Sequence, residues 1–177
     1  MKEYTFEGRV WTITWKDNEL IPDVDTDQIF HNAYLHITEI EEMGKYTFDN
    51  LEGWQDFSSK VRPGDMVIAG SNFGSGSSRQ QAVDCFKALG VKVIIAVSFG
   101  AIYKRNAINS GFPILILKDA ENIIMEKKIE NLDRVKVDLL AGELTNLKTG
   151  EKFPLTPFSK VQQDIYASGS LLGLNDE

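Results

Sequence analysis

The chain has 177 residues, 42% of them hydrophobic and 25% charged, which suits one soluble globular domain with a sizeable core. A formal net charge of −7 and a pI near 4.9 argue against nucleic acid as a partner. The one cysteine, Cys85, can form no internal disulfide, and no Cys/His spacing suggests a metal site.

Residues 1–7 are polar and acidic, with no apolar signal-peptide core, and the longest apolar stretches are far too short to span a bilayer. A cytoplasmic chain without membrane contact is the expectation, and no linker or repeat divides residues 1–177 into more than one domain. Residues 6–15 alternate in part and read as a strand. Residues 21–27, with Pro22 and three aspartates, read as an acidic loop. Residues 32–46 are helical or irregular, and residues 50–59 are a short aromatic segment. Arg62-Pro63-Gly64-Asp65 is a turn signal before a buried strand at residues 66–70.

A glycine-serine loop follows, then a helix over residues 78–89 with Gly90 as its stop. Residues 91–96 read as a second buried strand, residues 101–109 as a helix closed by Ser110-Gly111, and residues 112–117 as a third strand. Strand, helix, strand, helix, strand is the pattern of parallel strands with crossover helices, an α/β arrangement. Residues 135–139, 143–147 and 151–155 read as short strands separated by turns at Gly142 and Gly150, forming a meander or a smaller additional sheet. Residues 159–166 read as a closing helix before Gly169.

The segment Gly70-Ser71-Asn72-Phe73-Gly74-Ser75-Gly76-Ser77-Ser78-Arg79 lies at the carboxyl end of a predicted strand and leads into a predicted helix. In a mainly parallel sheet that is where ligands bind. Its glycines permit tight turns, the helix amides favour an anion, and the hydroxyls of Ser77 and Ser78 and the guanidinium of Arg79 add donors. The plainer alternative is a turn in which Ser77 or Ser78 caps the helix. The loop is neither a Walker A motif nor a GxGxxG.

Asn72-Phe73-Gly74-Ser75-Gly76-Ser77-Ser78-Arg79 resembles the Asn-aromatic-Gly-x-Gly-Ser-Ser-Arg signature of the swivelling β/β/α domain of the aconitase superfamily. Asp25-Thr26-Asp27-Gln28-Ile29, the segment from Ser98 to Asn106, and Asn109-Ser110-Gly111-Phe112-Pro113 are similar to three further motifs of that family, in the same order. A free-standing chain of this size resembles the small subunits of the isopropylmalate and homoaconitate dehydratases.

The resemblance implies a hydro-lyase that isomerises a 2-alkylmalate, or a homologous citramalate, dimethylmalate or homoaconitate substrate, by dehydration and rehydration. It implies no cofactor in this chain and a [4Fe–4S] cluster on a large partner subunit, with the active site between them. Ser77 would be the base and Asp27 would support a histidine of the other domain. Arg79, with Ser78 and the backbone at Gly76, would bind substrate carboxylate. His36, in Tyr34-Leu35-His36-Ile37, falls in the family's substrate-selecting loop, where an arginine suits a distal carboxylate; a neutral imidazole beside apolar neighbours favours an alkyl group, whereas a protonated one could still meet a carboxylate.

Asp27 read alone is an ordinary turn or cap residue. His36 read alone is a half-buried loop histidine. The chain departs from the family pattern at Gln80, commonly glutamate, and at Ala101, commonly charged; Arg105 is an exposed helix arginine or an anion contact. A domain of the same fold that binds anions without catalysis is the reading from another functional class.

Overall fold

The computed structural model describes residues 2–175 and has the element order β1 (Thr5–Thr12), α1 (Thr26–Ile29), α2 (Ile40–Met43), α3 (Phe57–Lys60), β2 (Met66–Ala69), α4 (Gln81–Ala88), β3 (Ile94–Ala96) and α5 (Ala101–Asn109). The chain continues through β4 (Ile114–Ile116), α6 (Ala120–Met125), β5 (Arg134–Asp138), β6 (Glu143–Asn146), β7 (Lys152–Pro154), α7 (Lys160–Ser168) and α8 (Leu171–Asn175). The expected alternation over residues 66–117 is present, and α5 keeps its expected bounds.

The strands form one sheet in the order β4-β3-β2-β1-β5-β6-β7. β1 to β4 are parallel, with α4 and α5 as the crossovers between β2, β3 and β4. β5, β6 and β7 are an antiparallel meander joined to the rest through β1. The smaller sheet of the sequence reading is thus the antiparallel half of a mixed sheet. β1 serves both halves by dividing its length: residues 5–9 pair with β5, and residues 10–12 pair with β2.

Both faces of the parallel half are covered, and so every residue of β2 is buried. Val67 and Ala69 face a core with Ile94, Ala96, Phe73 and Phe86, on the side of α4 and α5. Met66 and Ile68 face the other core, with Val10, Ile95, Leu115 and residues of α6. Cys85 belongs to the first core: burial pushes its thiol up to about 12, so it stays protonated and inert.

Several boundaries differ from the periodicity, for local reasons. α4 begins at Gln81 instead of Ser78, because the Ser77 carbonyl and the Ser78 and Arg79 side chains are held by Thr26, Asn106 and α1. The acidic loop contains α1, closed by a capping box in which Asp25 Oδ1 accepts from Gln28 N and Gln28 Oε1 accepts from Asp25 N. Residues 32–46 are broken into two 3-10 turns around α2. Neither α6 nor α8 shows in the hydrophobic pattern, since six and five residues do not complete two turns.

The Arg62–Asp65 turn is fastened to β1 by one carboxylate. Asp65 accepts from Arg9 Nη2 at 2.7 Å, Arg9 Nε at 3.1 Å, Trp11 Nε1 at 2.8 Å and the Arg62 amide at 2.8 Å. Burial pushes this carboxyl up, but the bonds from Arg9, Trp11 and Arg62 outweigh it, and its pKa lies below the usual value. A depressed folded-state pKa contributes stability above the unfolded value, near 3.9, and loses it as pH falls through the folded value. Asp65→Asn is therefore expected to cost about 3 kcal/mol at neutral pH. That deficit should shrink below about pH 4, as the wild-type carboxylate is protonated. Urea unfolding across pH measures both; a deficit that stays constant down to about pH 2 would refute the assignment.

Candidate active site

The backbone of residues 71–75 continues the line of β2 past its end and lies between two other segments. On one side the Asp23 amide donates to Ser71 O (2.9 Å), Gly74 N to Val24 O (2.7 Å) and Thr26 N to Ser75 O (2.9 Å). On the other side Phe73 N donates to Ser98 O (3.0 Å) and Gly100 N to Phe73 O (2.9 Å). Bridges Asp25–Ser75 and Phe73–Phe99 mark this short ladder. Three of the motif segments singled out in the sequence are thereby brought together.

Side chains lock the same arrangement. Phe73 is fully buried, against Phe48, Phe86, Phe99 and Tyr103; burying such a ring contributes about 2–3 kcal/mol. Gly74 has φ +80°, and a Cβ there would sit 2.2 Å from Tyr103 Cγ. Tyr103 is itself fixed from beneath, its hydroxyl donating to Ala82 O at 2.9 Å. Asn72 takes a left-handed φ of 54°, held by its Nδ2 to Asp23 Oδ1 (2.9 Å) and by its amide to Ser98 Oγ (2.8 Å).

Beyond Ser75 the chain lifts into solvent, and Gly76, Ser77 and Ser78 are exposed. Gly76 has φ +96° with no close neighbour to a Cβ, so the turn itself calls for glycine. Thr26 Oγ1 donates to Ser77 O at 3.0 Å, and Asn106 Nδ2 donates to Ser78 Oγ at 3.0 Å. Ser77 Oγ meets no partner among the described residues, and neither do the amides of residues 76–80. Neither serine caps α4, whose cap position is Gln80 and makes no side-chain capping bond. The loop is therefore a run of free backbone donors around an unengaged hydroxyl, suited to an oxyanion.

Arg79 is mostly buried and turned toward α1. Its Nη1 donates to Phe30 O at 2.6 Å, Asp27 Oδ1 at 3.0 Å and Thr26 O at 3.4 Å. Nε and Nη2 meet no acceptor among the described residues, which leaves part of the guanidinium for a carboxylate. Asp27 also accepts from the Asn32 amide (2.8 Å) and Asn50 Nδ2 (3.2 Å). Partial burial pushes the Asp27 carboxyl up, but the Asn32 and Arg79 bonds and the nearby His31 and Arg79 charges hold it below its ordinary value. The helix cap in this segment is Asp25; Asp27 lies in the first turn of α1.

His36 is exposed on the turn after the first 3-10 segment, not half-buried. Of its two apolar neighbours only Leu35 is exposed; Ile37 turns into the core. Leu35 O accepts from Gln81 Nε2 at 3.3 Å, which ties the His36 turn to the start of α4. Gln80 bonds Asp84 within its helix, at 3.1 Å. Arg105 and Ala101 are exposed on α5, and Arg105 has no ion pair among the described residues. Thr26 and Asn50 are contributors that residue-type reasoning passed over; the signal for Thr26 was its place beside Asp25 in the capped turn.

Two clefts, of about 480 and 730 Å³, are lined by other residues, and Ser77 stands on an open surface. No group of three or more His, Cys, Asp or Glu among the described residues is placed to hold a metal ion. An iron–sulfur cluster does not fit this chain, whose one cysteine is buried and protonated.

A loop of free donors at the carboxyl edge of a parallel sheet, pinned between the segments at residues 23–26 and 98–100, defines an aconitase-type swivelling domain. The family model of the aconitase C-terminal domain matches residues 18–120, and the chain belongs to that family. More narrowly, it is similar over nearly its whole length to 3-isopropylmalate dehydratase small subunits. That of Aquifex aeolicus is 41% identical over 97% of this chain and 95% of the relative, and small subunit 1 of Archaeoglobus fulgidus is 39% identical over 89% and 91%. The crystal structure of 3-isopropylmalate dehydratase from Methanocaldococcus jannaschii superposes with a TM-score of 0.83 at 32% identity, covering 97% of this chain and 93% of that one.

Gly74→Ala is expected to destabilise the chain by about 3 kcal/mol, through the clash with Tyr103 and the left-handed φ. Urea unfolding reads this directly. Wild-type stability would show that the loop is not seated on Tyr103.

Proposed function

We propose that this chain is, as a single domain, the small subunit of a hydro-lyase that isomerises 2-isopropylmalate to 3-isopropylmalate, and that it is active only with a large subunit. The observation that carries this reading is Ser77: its hydroxyl is exposed and unpartnered among free amides, yet its backbone is anchored by the bond from Thr26 Oγ1 to Ser77 O. A serine becomes a base only where water is excluded and oxyanion donors converge. This surface has the donors and lacks the enclosure, which a second subunit would supply. The names of the relatives, each a small subunit, support such a partner.

In the proposed reaction Ser77 Oγ, as an alkoxide, takes the proton from the carbon next to a substrate carboxylate. The C–H electron pair forms the alkene as the hydroxyl departs from the neighbouring carbon with its own pair. Hydroxide then returns to the carbon that lost the proton, and Ser77 gives its proton to the carbon that lost the hydroxyl, which completes the exchange and restores the alkoxide. The amides of residues 76–80, with Ser78 and the free edge of Arg79, hold the carboxylate. Asp27, kept ionised and held by Arg79 and Asn50, faces the partner to orient a histidine there. Any cluster belongs to the large subunit. The acidic net charge supports the absence of nucleic acid and anionic membrane among the partners, and the lack of disulfides supports a cytoplasmic setting. No helix among the described residues is long and apolar enough to cross a membrane.

Ser77→Ala, co-assembled with the large subunit, should lower kcat by about 10³-fold while the complex still forms. Full activity in that variant would overturn the assignment of the base.

Selectivity is proposed to follow from His36 with Leu35. The assembled enzyme should turn over 2-isopropylmalate at least about tenfold faster than homocitrate, and His36→Arg should narrow the gap. A wild-type preference for the tricarboxylate would reject the alkyl reading.

A further inference from the structure

A strongly basic surface of this acidic protein lies at the end of the sheet remote from Ser77. The glycine-serine loop follows the carboxyl end of β2, whereas Lys92 and Pro113 precede the amino ends of the parallel strands β3 and β4. Between them opens a cleft of about 480 Å³, lined by Lys2, Lys87 and Lys92, with Glu3 as the one carboxylate in its wall. None of these lysines joins an ion pair among the described residues.

Lys87 is the centre of the cleft's chemistry. It is half-buried at the end of α4, and its Nζ donates to Ser110 O at 2.6 Å, an acceptor without charge. Burial lowers its pKa; Asp84 on the same helix acts against this and Lys2 acts with it. Lys2 Nζ lies 5.4 Å from the centre of the Tyr166 ring, in the same cleft. Lys2 and Lys92 are exposed at the rim of the cleft and Lys87 is half-buried within it, so the Lys87 ammonium, already disfavoured by burial and by Lys2, gains when an opposite charge arrives.

The neighbouring surface has the same sign. A smaller cleft of about 200 Å³ is lined by Arg9, Arg62 and Arg134, with Glu7 and Asp65 also in its wall, an excess of one positive charge. It adjoins the first across the turn at Gly64, whose amide donates to Gly90 O at 2.9 Å. Arg9 and Arg134 are direct cross-strand partners, a like-charge pairing that opposes strand association, and of the two only Arg9 is neutralised, by Asp65. This field draws anions toward the larger cleft.

We infer that the cleft of Lys2, Lys87 and Lys92 binds a small dianionic oxyanion, either a phosphomonoester or a dicarboxylate. Three lysines against one carboxylate in the lining give the cleft an excess of two positive charges, which suits a dianion. Lysines act as point charges that grip phosphate or carboxylate oxygens without the planar fit an arginine requires. The concavity and its volume suit a small molecule, and the walls of Phe6, Phe112 and Pro113 can take its carbon body. This site is independent of the proposed dehydratase activity.

Binding is measured by amide chemical-shift titration of the full chain with inorganic phosphate, glycerol 3-phosphate and succinate, sodium chloride holding ionic strength constant. The expected result is saturable shifts around Lys87, Lys92, Ser110 and Gly111. Tighter binding of glycerol 3-phosphate identifies a phosphomonoester site, and tighter binding of succinate a dicarboxylate site. Lys87→Met, which keeps the buried stem, and the exposed Lys92→Gln should each weaken binding about tenfold. Lys160→Gln, whose lysine pairs with Asp164 elsewhere, should leave it unchanged. Shifts that fail to saturate, or that are equal in the Lys87 and Lys92 variants and the wild type, overturn the proposal.

Discussion

The seating of residues 71–75 between two other segments is the constraint on which the functional end of this molecule depends. A loop rich in glycine and serine is by itself among the most mobile of sequences, since glycine loses the most conformational freedom on ordering. Here ladder-like hydrogen bonds to Val24, Thr26, Ser98 and Gly100 take up that cost, with the Phe73 ring as the apolar anchor. Everything exposed beyond it, Ser77 above all, inherits its position from this short extension of β2.

The electrostatics of the site follow from the same geometry. In this acidic protein the glycine-serine loop keeps free donors because its nearby carboxylates are already satisfied. Asp23 is bonded by Asn72, Asp25 is spent on the cap of α1, and Asp27 is paired with Arg79. The amides of residues 76–80 are left free. The same arrangement fits the proposed need for a large subunit: donors on an open surface compete with water, and they gain strength only when a second surface closes over them.

Much of the parallel half was legible in advance. Buried apolar runs at residues 66–70, 91–96 and 112–117, each separated by a helix-length segment, dictate crossover topology. The antiparallel half was legible as turns and short strands, but not its attachment, because β1 pairs with β2 and β5 over different parts of its length. Short elements such as α1 and α6 carry too few residues for a period, and α1 is set by the Asp25–Gln28 cap.

By itself the sequence determined the residue types of the site and their order along the chain: an acidic turn, a glycine-serine loop ending in Arg79, and a segment running from Ser98 to Asn106. Motif spacing carries that information because it is local. Only the tertiary structure decided that Ser77 is free while Ser78 is held by Asn106, that Arg79 turns its Nη1 toward α1, and that His36 is exposed while Ile37 is buried. Those outcomes rest on contacts between residues tens of positions apart, where packing against Tyr103 and the competition for hydrogen-bond acceptors settle which groups remain available.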